Sequence, residues 1–304
     1  MLELTFLIFP IFLIILLGYV LRQVLIKDDS AWDHVNRLAY WVLFPCLLFN
    51  RTSVIDLDSF EFGPLSVAIL GGFIAAISVS YWIGRMMKLS KPSITSIMQG
   101  GGRHNAFLAL AVISRLYGEE GAMISAIIIA ILVTVTNIVV NVSMTIMLSP
   151  GGSGIKNIMR DLRRNPLIIS IALGIAFNMA GLGNMPIIHD LTLYIGDATT
   201  SVALLCVGAG LNLKAGSWQI APTLAPFVGK LFIFPGLTYA LATYYGLPQM
   251  VMLSAVIFAI SPVGAASYPL AKQMGGDAPL MATITSLQTL LSVVTIPMVI
   301  VLLG

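Results

Sequence analysis

Charge is what this 304-residue sequence has least of: Asp, Glu, Lys and Arg together make up 10% of it, against 58% hydrophobic residues. A soluble domain carries about 25% charged residues. The usual water-facing surface cannot be built from so few, and readings as a soluble enzyme or a nucleic-acid binder fall away. The net charge of +3 is also too small to argue for nucleic acid. Cysteine is scarce as well. Cys46 and Cys206 each sit inside an apolar run and are read as buried thiols rather than a disulfide. The three histidines, His34, His104 and His189, lie on separate segments, and no H-E-x-x-H occurs. Neither a metal site, a catalytic cluster nor a cofactor is therefore expected. Gly100-Gly101-Gly102 is followed by no Lys-Ser or Lys-Thr, so it is no phosphate loop.

What the chain has in abundance is long apolar runs. They cover about 5–21, 35–52, 64–84, 92–117, 121–148, 166–182, 191–212, 220–245, 249–274 and 278–303. A membrane-spanning helix needs about 20 such residues, so the expectation is an all-α polytopic membrane protein of ten transmembrane helices. No basic segment precedes the first run, so no cleaved signal peptide is expected. Orientation follows from where the bases fall. The connections after runs one, three, five, seven and nine hold Arg22, Lys27, Arg37, Arg85, Lys88, Lys91, Lys156, Arg160, Arg163, Arg164, Lys214 and Lys272. The opposite side holds only Arg51 and Arg115. That bias places the first side in the cytoplasm and both termini away from it. The acids Asp56, Asp58, Glu61, Glu119 and Glu120 fall mainly on the outer side.

The two halves of the chain echo each other. Pro10 and Gly18 in FPIFLIILLG match Pro166 and Gly174 in NPLIISIALG, an offset of 156. Arg115-Leu116-Tyr117-Gly118 matches Lys272-Gln273-Met274-Gly275 at 157. Five spans is an odd number, so the second copy must enter the membrane upside down, which is a transporter signature. The expected organisation is a first inverted repeat at 1–148, a cytoplasmic linker at 149–165 and a second repeat at 166–304. Spans four and nine are interrupted at equivalent places, by Gly100, Gly101 and Gly102 in one and by Ser261-Pro262-Val263-Gly264 in the other. Irregular backbone at membrane depth is tolerated only where protein or a water-filled cavity covers it. Paired interruptions are the best sequence pointer to a carrier's binding site, and broken helix ends suit an anion.

Few polar residues stand inside the runs. Arg103, beside the first break, could hold a carboxylate with both arms of its fork. Asn105 offers a donor and an acceptor, and His104 is a candidate proton carrier. Asp197 is the other candidate for a coupling ion, proton or sodium. Lys230 is read as structural, with a stem long enough to snorkel to an interface. Asn137 with Asn141, and Gln288 with Ser292, are one turn apart and are expected to bond between helices. Asn50 and Thr200 are expected to close the site from the neighbouring spans.

The stretches GGGRHNAFLALAVISRLYGEEGA and SPVGAASYPLAKQMGGDAPLMATITSLQTLLSVVTIP, with GYVLRQ and LAYWVLFPCLLFN, resemble the auxin efflux carrier family. The likeness is to its bacterial branch, which includes malonate and other organic-acid permeases. It implies a sodium/proton antiporter-like fold with spans four and nine crossing. Spans one, two, six and seven would form a scaffold through which homodimers assemble, and the remainder would move. Asn105 matches the Asn of the family's Asn-Pro element, with Ala106 in place of the Pro. Pro262 matches the second crossing proline, flanked by Ser261 and Val263 instead of an Asn. The expected function is secondary transport of a small organic anion in a bacterial inner membrane, bound by Arg103, His104, Asn105, Ser261, Pro262, Val263, Gly264, Asn50 and Thr200. A passive anion channel and a non-transporting sensor on a carrier fold are the alternatives.

Overall fold

The computed structural model describes residues 2–55, 62–148, 160, 163–212, 219–264 and 266–304. Asp56, Asp58, Glu61, Lys156, Lys214 and most of the 149–165 linker lie outside them. All the secondary structure within them is helical: α1 Leu2–Val24, α2 Asp29–Leu38, α3 Phe44–Ser53, α4 Phe62–Met86, α5 Lys91–Gly102, α6 Ala106–Leu148, α7 Pro166–Met179, α8 Pro186–Ala209, α9 Ile220–Phe227, α10 Phe234–Tyr244, α11 Gln249–Ile260, α12 Ser267–Met274 and α13 Ala278–Leu303. Single π-helical turns at Ala39–Leu43 and Val228–Ile233 join α2 to α3 and α9 to α10 without interrupting the rod.

Polar caps followed closely by proline start several of these helices. Asn165 accepts from Leu167 and Ile168 N–H ahead of α7, whose first residue is Pro166. Ser90 caps α5 before Pro92, and Asp277 caps α13 before Pro279. Proline has no N–H to lose in a first turn, and the cap oxygen satisfies donors that the helix leaves open. Asp277 does more: its Oδ2 accepts from Ser93 Oγ at 2.9 Å and its carbonyl from Ser96 Oγ at 2.9 Å. The starts of α5 and α13 are thereby pinned together.

Among the described residues, six helical stretches are long and apolar enough to cross a membrane: 6–24, 62–86, 91–148, 186–209, 220–244 and 278–303. The protein is an integral, multi-pass membrane protein. The number differs from the ten apolar runs because continuity of helix and continuity of hydropathy are different things. Runs four and five are joined in 91–148, which is broken at 103–105 and turned at Gly118 (φ 60°, ψ −138°). Run two begins in the polar helix α2, and runs six and nine supply only shorter helices. Large apolar side chains face outward along α1 (Phe6, Phe9, Leu13, Leu16, Leu17), as lipid contact requires.

Helices α1, α3, α7 and α8 pack closely on one another, as do α4, α5, α10 and α11. Close approach between α1 and α8 is secured by glycine on both sides. A Cβ at Gly18 would run into the Leu205 carbonyl, and one at Gly208 into the Ile15 carbonyl. Cys46 and Cys206 are free thiols.

Candidate functional site

Helix α5 runs 12 residues, about 18 Å at 1.5 Å per residue. It therefore ends partway across a hydrocarbon core of about 30 Å. Three glycines form its end, and each is needed for space. A Cβ at Gly101 would strike Ser80 Oγ, one at Gly100 would sit 2.8 Å from Ile284, and one at Gly102 2.9 Å from Phe73. Arg103 follows in extended conformation (φ −70°, ψ 155°), its N–H closing the last turn onto Gln99 O at 2.9 Å. Helix α11 repeats this design. It too has 12 residues and is followed by an extended residue, Ser261 (φ −54°, ψ 139°), whose N–H reaches Ile257 O at 3.0 Å.

The two breaks touch. A Cβ at Gly264 would lie 2.8 Å from the His104 carbonyl, so this glycine lets the second break pass directly over the first. Gln288, on α13, bridges both. Its Oε1 accepts from Val263 N–H at 2.9 Å and its Nε2 donates to Gly100 O at 2.8 Å. Lys230 Nζ donates to Arg103 O at 2.8 Å. Backbone groups that the breaks would leave open inside the protein thus find side-chain partners, as a low-dielectric interior demands.

Beside the crossing lies a cavity of about 320 Å³. Arg103, His104, Asn105 and Gly264 line it, joined by Asn36 and Tyr40 from the second apolar run, Thr136, Asn137 and Asn141 from α6, and Gln273 from α12. Among the described lining residues there is no carboxylate. Arg103 Nη1 is buried with no hydrogen-bond partner, and neither ring nitrogen of His104 has one. His104 sits edge-on to Phe258, ring centres 5.8 Å apart. Buried polar atoms of this kind normally have partners. Arg103 and His104 thus bring a guanidinium and an imidazole with unpaired nitrogens to the lining of this cavity.

Asn105 has a divided role. Its Oδ1 accepts from Phe107 and Leu108 N–H at 3.1 and 3.2 Å, capping α6. The broken end expected to present bare N–H groups is therefore closed by its own asparagine, and Arg103 supplies the charge. Asn105 also lines the cavity.

Other residues singled out in the sequence lie elsewhere. Ser261, Pro262, Val263, Asn50 and Thr200 are not on the cavity wall. Ser261 Oγ bonds back to Ile257 O at 2.7 Å. Asn50 Nδ2 donates to His189 O at 3.0 Å and Thr192 Oγ1 at 3.2 Å, tying α3 to α8. Asp197 is exposed on α8. Lys230 is fully buried and turned to Arg103 rather than snorkelling. Gln288 does bond between helices, whereas Asn141 Nδ2 bonds to Asn137 O of its own helix at 2.8 Å and Ser292 Oγ to Thr289 O at 2.6 Å. Asn36, Tyr40 and Gln273 carried no sequence signal, because nothing local marks a polar residue near the end of a run.

A family model described as membrane transport protein matches residues 4–300. The chain belongs to that family, the auxin efflux carriers. Over 296 residues it is 24% identical to a protein of Methanothermobacter thermautotrophicus described as an uncharacterized transporter, covering 95% of this chain and 94% of that protein. Membership extends along nearly the whole chain, so the crossing and its cavity lie within the part shared with a membrane transport family.

Proposed function

We propose that the protein is a secondary carrier of small organic anions, carboxylates such as malonate or an auxin-like acid, and that its substrate binds in the cavity at the helix crossing. The observation that carries this reading is the unpaired Arg103 Nη1 and His104 ring nitrogens beside a cavity with no carboxylate among its described lining residues. A volume of about 320 Å³ is at the small end of ligand pockets. Arg103 takes the carboxylate, and the amides of Asn36, Asn137, Asn141 and Gln273 meet a second polar group.

The architecture proposed for it has ten spans in two inverted repeats. Support comes from the paired 12-residue half-helices and from the ends of the helical segments that follow the two breaks. Gly118 and Gly275, matched in the two halves of the sequence, both have a positive φ, 60° and 77°. Glycine alone adopts that conformation without strain. Alternating access would move α4–α6 and α9–α13 as a unit against α1–α3, α7 and α8, in elevator fashion. The polar contacts between these groups suit a sliding seam. Arg51 pairs with Glu119 at 3.4 Å near the surface, and Arg115 Nε reaches Leu7 O at 3.4 Å. Asn36 and Gln273 stand next to Arg37 and Lys272, so the cavity approaches the base-rich, cytoplasmic side. The setting is a bacterial inner membrane with both termini outside, and a homodimer assembled through the first group.

Counterflow in proteoliposomes tests the carrier reading. Vesicles preloaded with unlabelled malonate, or with the organic acid that replaces it, should take up the labelled acid saturably and faster than empty vesicles. A channel gives uptake that neither saturates nor responds to preloading, and a sensor gives no flux for any acid.

A further inference from the structure

The C-terminal end of α5 is a place where a positive charge is wanted. The last carbonyls of a helix have no partner within it and carry the negative end of its dipole. In carriers with broken helices, such ends and the unwound carbonyls beside them coordinate the coupling sodium or proton. Three glycines in succession let the neighbouring helices come close around this end. Gln288 meets Gly100 O, and the amine of Lys230 meets Arg103 O at 2.8 Å.

Lys230 is built into this position. It has no exposed surface, and its Nζ lies 5.0 Å from the centre of the Phe234 ring, close enough for a cation–π contact. It stands on the π-helical turn Val228–Ile233, a local widening that often accompanies function. Its neighbour Gly229 is closely covered, since a Cβ there would lie 2.5 Å from Ser80 Oγ and 2.9 Å from Ala76 O. Ser80 Oγ, which a Cβ on Gly101 would also strike, is fully buried and without a hydrogen-bond partner. An unpaired oxygen therefore faces the junction of α4, α5 and the π-turn. Among the described residues the ion pairs are Arg22–Asp29 and Arg51–Glu119, so no carboxylate pairs with Lys230.

We infer that Lys230 is a tethered counter-cation, occupying the place that a coupling sodium would take at the broken end of α5, and that the protein therefore works without an alkali cation at this site. The carrier reading gives the inference its meaning, but the test needs no transport. Full-length protein in detergent is melted in sodium chloride and in choline chloride at equal ionic strength. The wild type should melt at the same temperature in both. Lys230→Ala opens the carbonyls and Ser80 Oγ to solvent ions. It should melt lower in choline and regain about 2–4 °C as sodium is added. Lys230→Arg keeps a cation in place and should be as indifferent to sodium as the wild type.

A wild type stabilised by sodium over choline overturns the inference, as does a Lys230→Ala protein that melts identically in the two salts. If Lys230→Ala cannot be purified, Lys230→Gln replaces it and the wild-type comparison still decides. Sodium-dependent melting of the wild type would sink the tethered cation and leave the carrier standing. Absence of counterflow with every organic acid would do the reverse.

Discussion

Arg103→Ala should weaken carboxylate binding by at least about 30-fold, without lowering the melting temperature. Both parts follow from the same observation. Nη1 of Arg103 is buried with no hydrogen-bond partner, in a residue that lines a cavity with no carboxylate among its described lining residues. A buried charge without a partner costs stability, so its removal is neutral or stabilising. Truncating one side of a buried, hydrogen-bonded charge pair costs about 2–5 kcal/mol of binding, and each 1.4 kcal/mol is tenfold in affinity. Arg103→Lys should recover part of the loss, since an ammonium supplies charge but no planar fork. Binding of labelled organic acids at equilibrium, read beside thermal melting, separates the outcomes. A variant that melts lower but binds as well as the wild type would make Arg103 a structural residue.

Gly208→Leu should destabilise the protein by about 3 kcal/mol or more, roughly 6–12 °C in melting temperature. The backbones of α1 and α8 meet at Gly18 and Gly208, each placed where a Cβ would collide with a carbonyl of the other helix. A backbone cannot turn aside as a flexible side chain can, so the helices must separate. In a bilayer, helix association rests largely on such close packing. Gly236→Ala is the control. Nothing lies within 4 Å of a Cβ there, and alanine suits an exposed helical position better than glycine. Its melting temperature should not fall.

Much of the candidate site's position in the fold was legible in the sequence, for a physical reason. Breaking a helix at membrane depth needs residues that favour other conformations or allow close backbones. Gly100-Gly101-Gly102 and Pro262 announce both breaks in residue types alone. Arg103 was legible because a charge is rare and expensive in an apolar run. The bonds that stabilise the crossing were not. Lys230 reaches a carbonyl 127 residues away and Gln288 one 188 residues away, and no local pattern encodes which carbonyl a buried side chain will find. Asn50 is placed away from the cavity for a related reason: its Nδ2 finds His189 O and Thr192 Oγ1 on another helix, contacts no local pattern announces. The helices were legible through hydropathy. Their lengths were not: the apolar runs part at Gly118-Glu119-Glu120, where the chain does turn, but runs six and nine supply helices shorter than the runs themselves.

Protection of a cavity cysteine by substrate addresses the central claim most directly. With Cys46 and Cys206 replaced by alanine, Gln273→Cys puts one thiol on the cavity wall, where a small maleimide labels it. An organic acid that the protein exchanges across proteoliposomes should slow this labelling saturably, and the protection should vanish when Arg103→Ala is added. Labelling that stays indifferent to an acid the protein demonstrably exchanges would place the binding site somewhere other than this crossing.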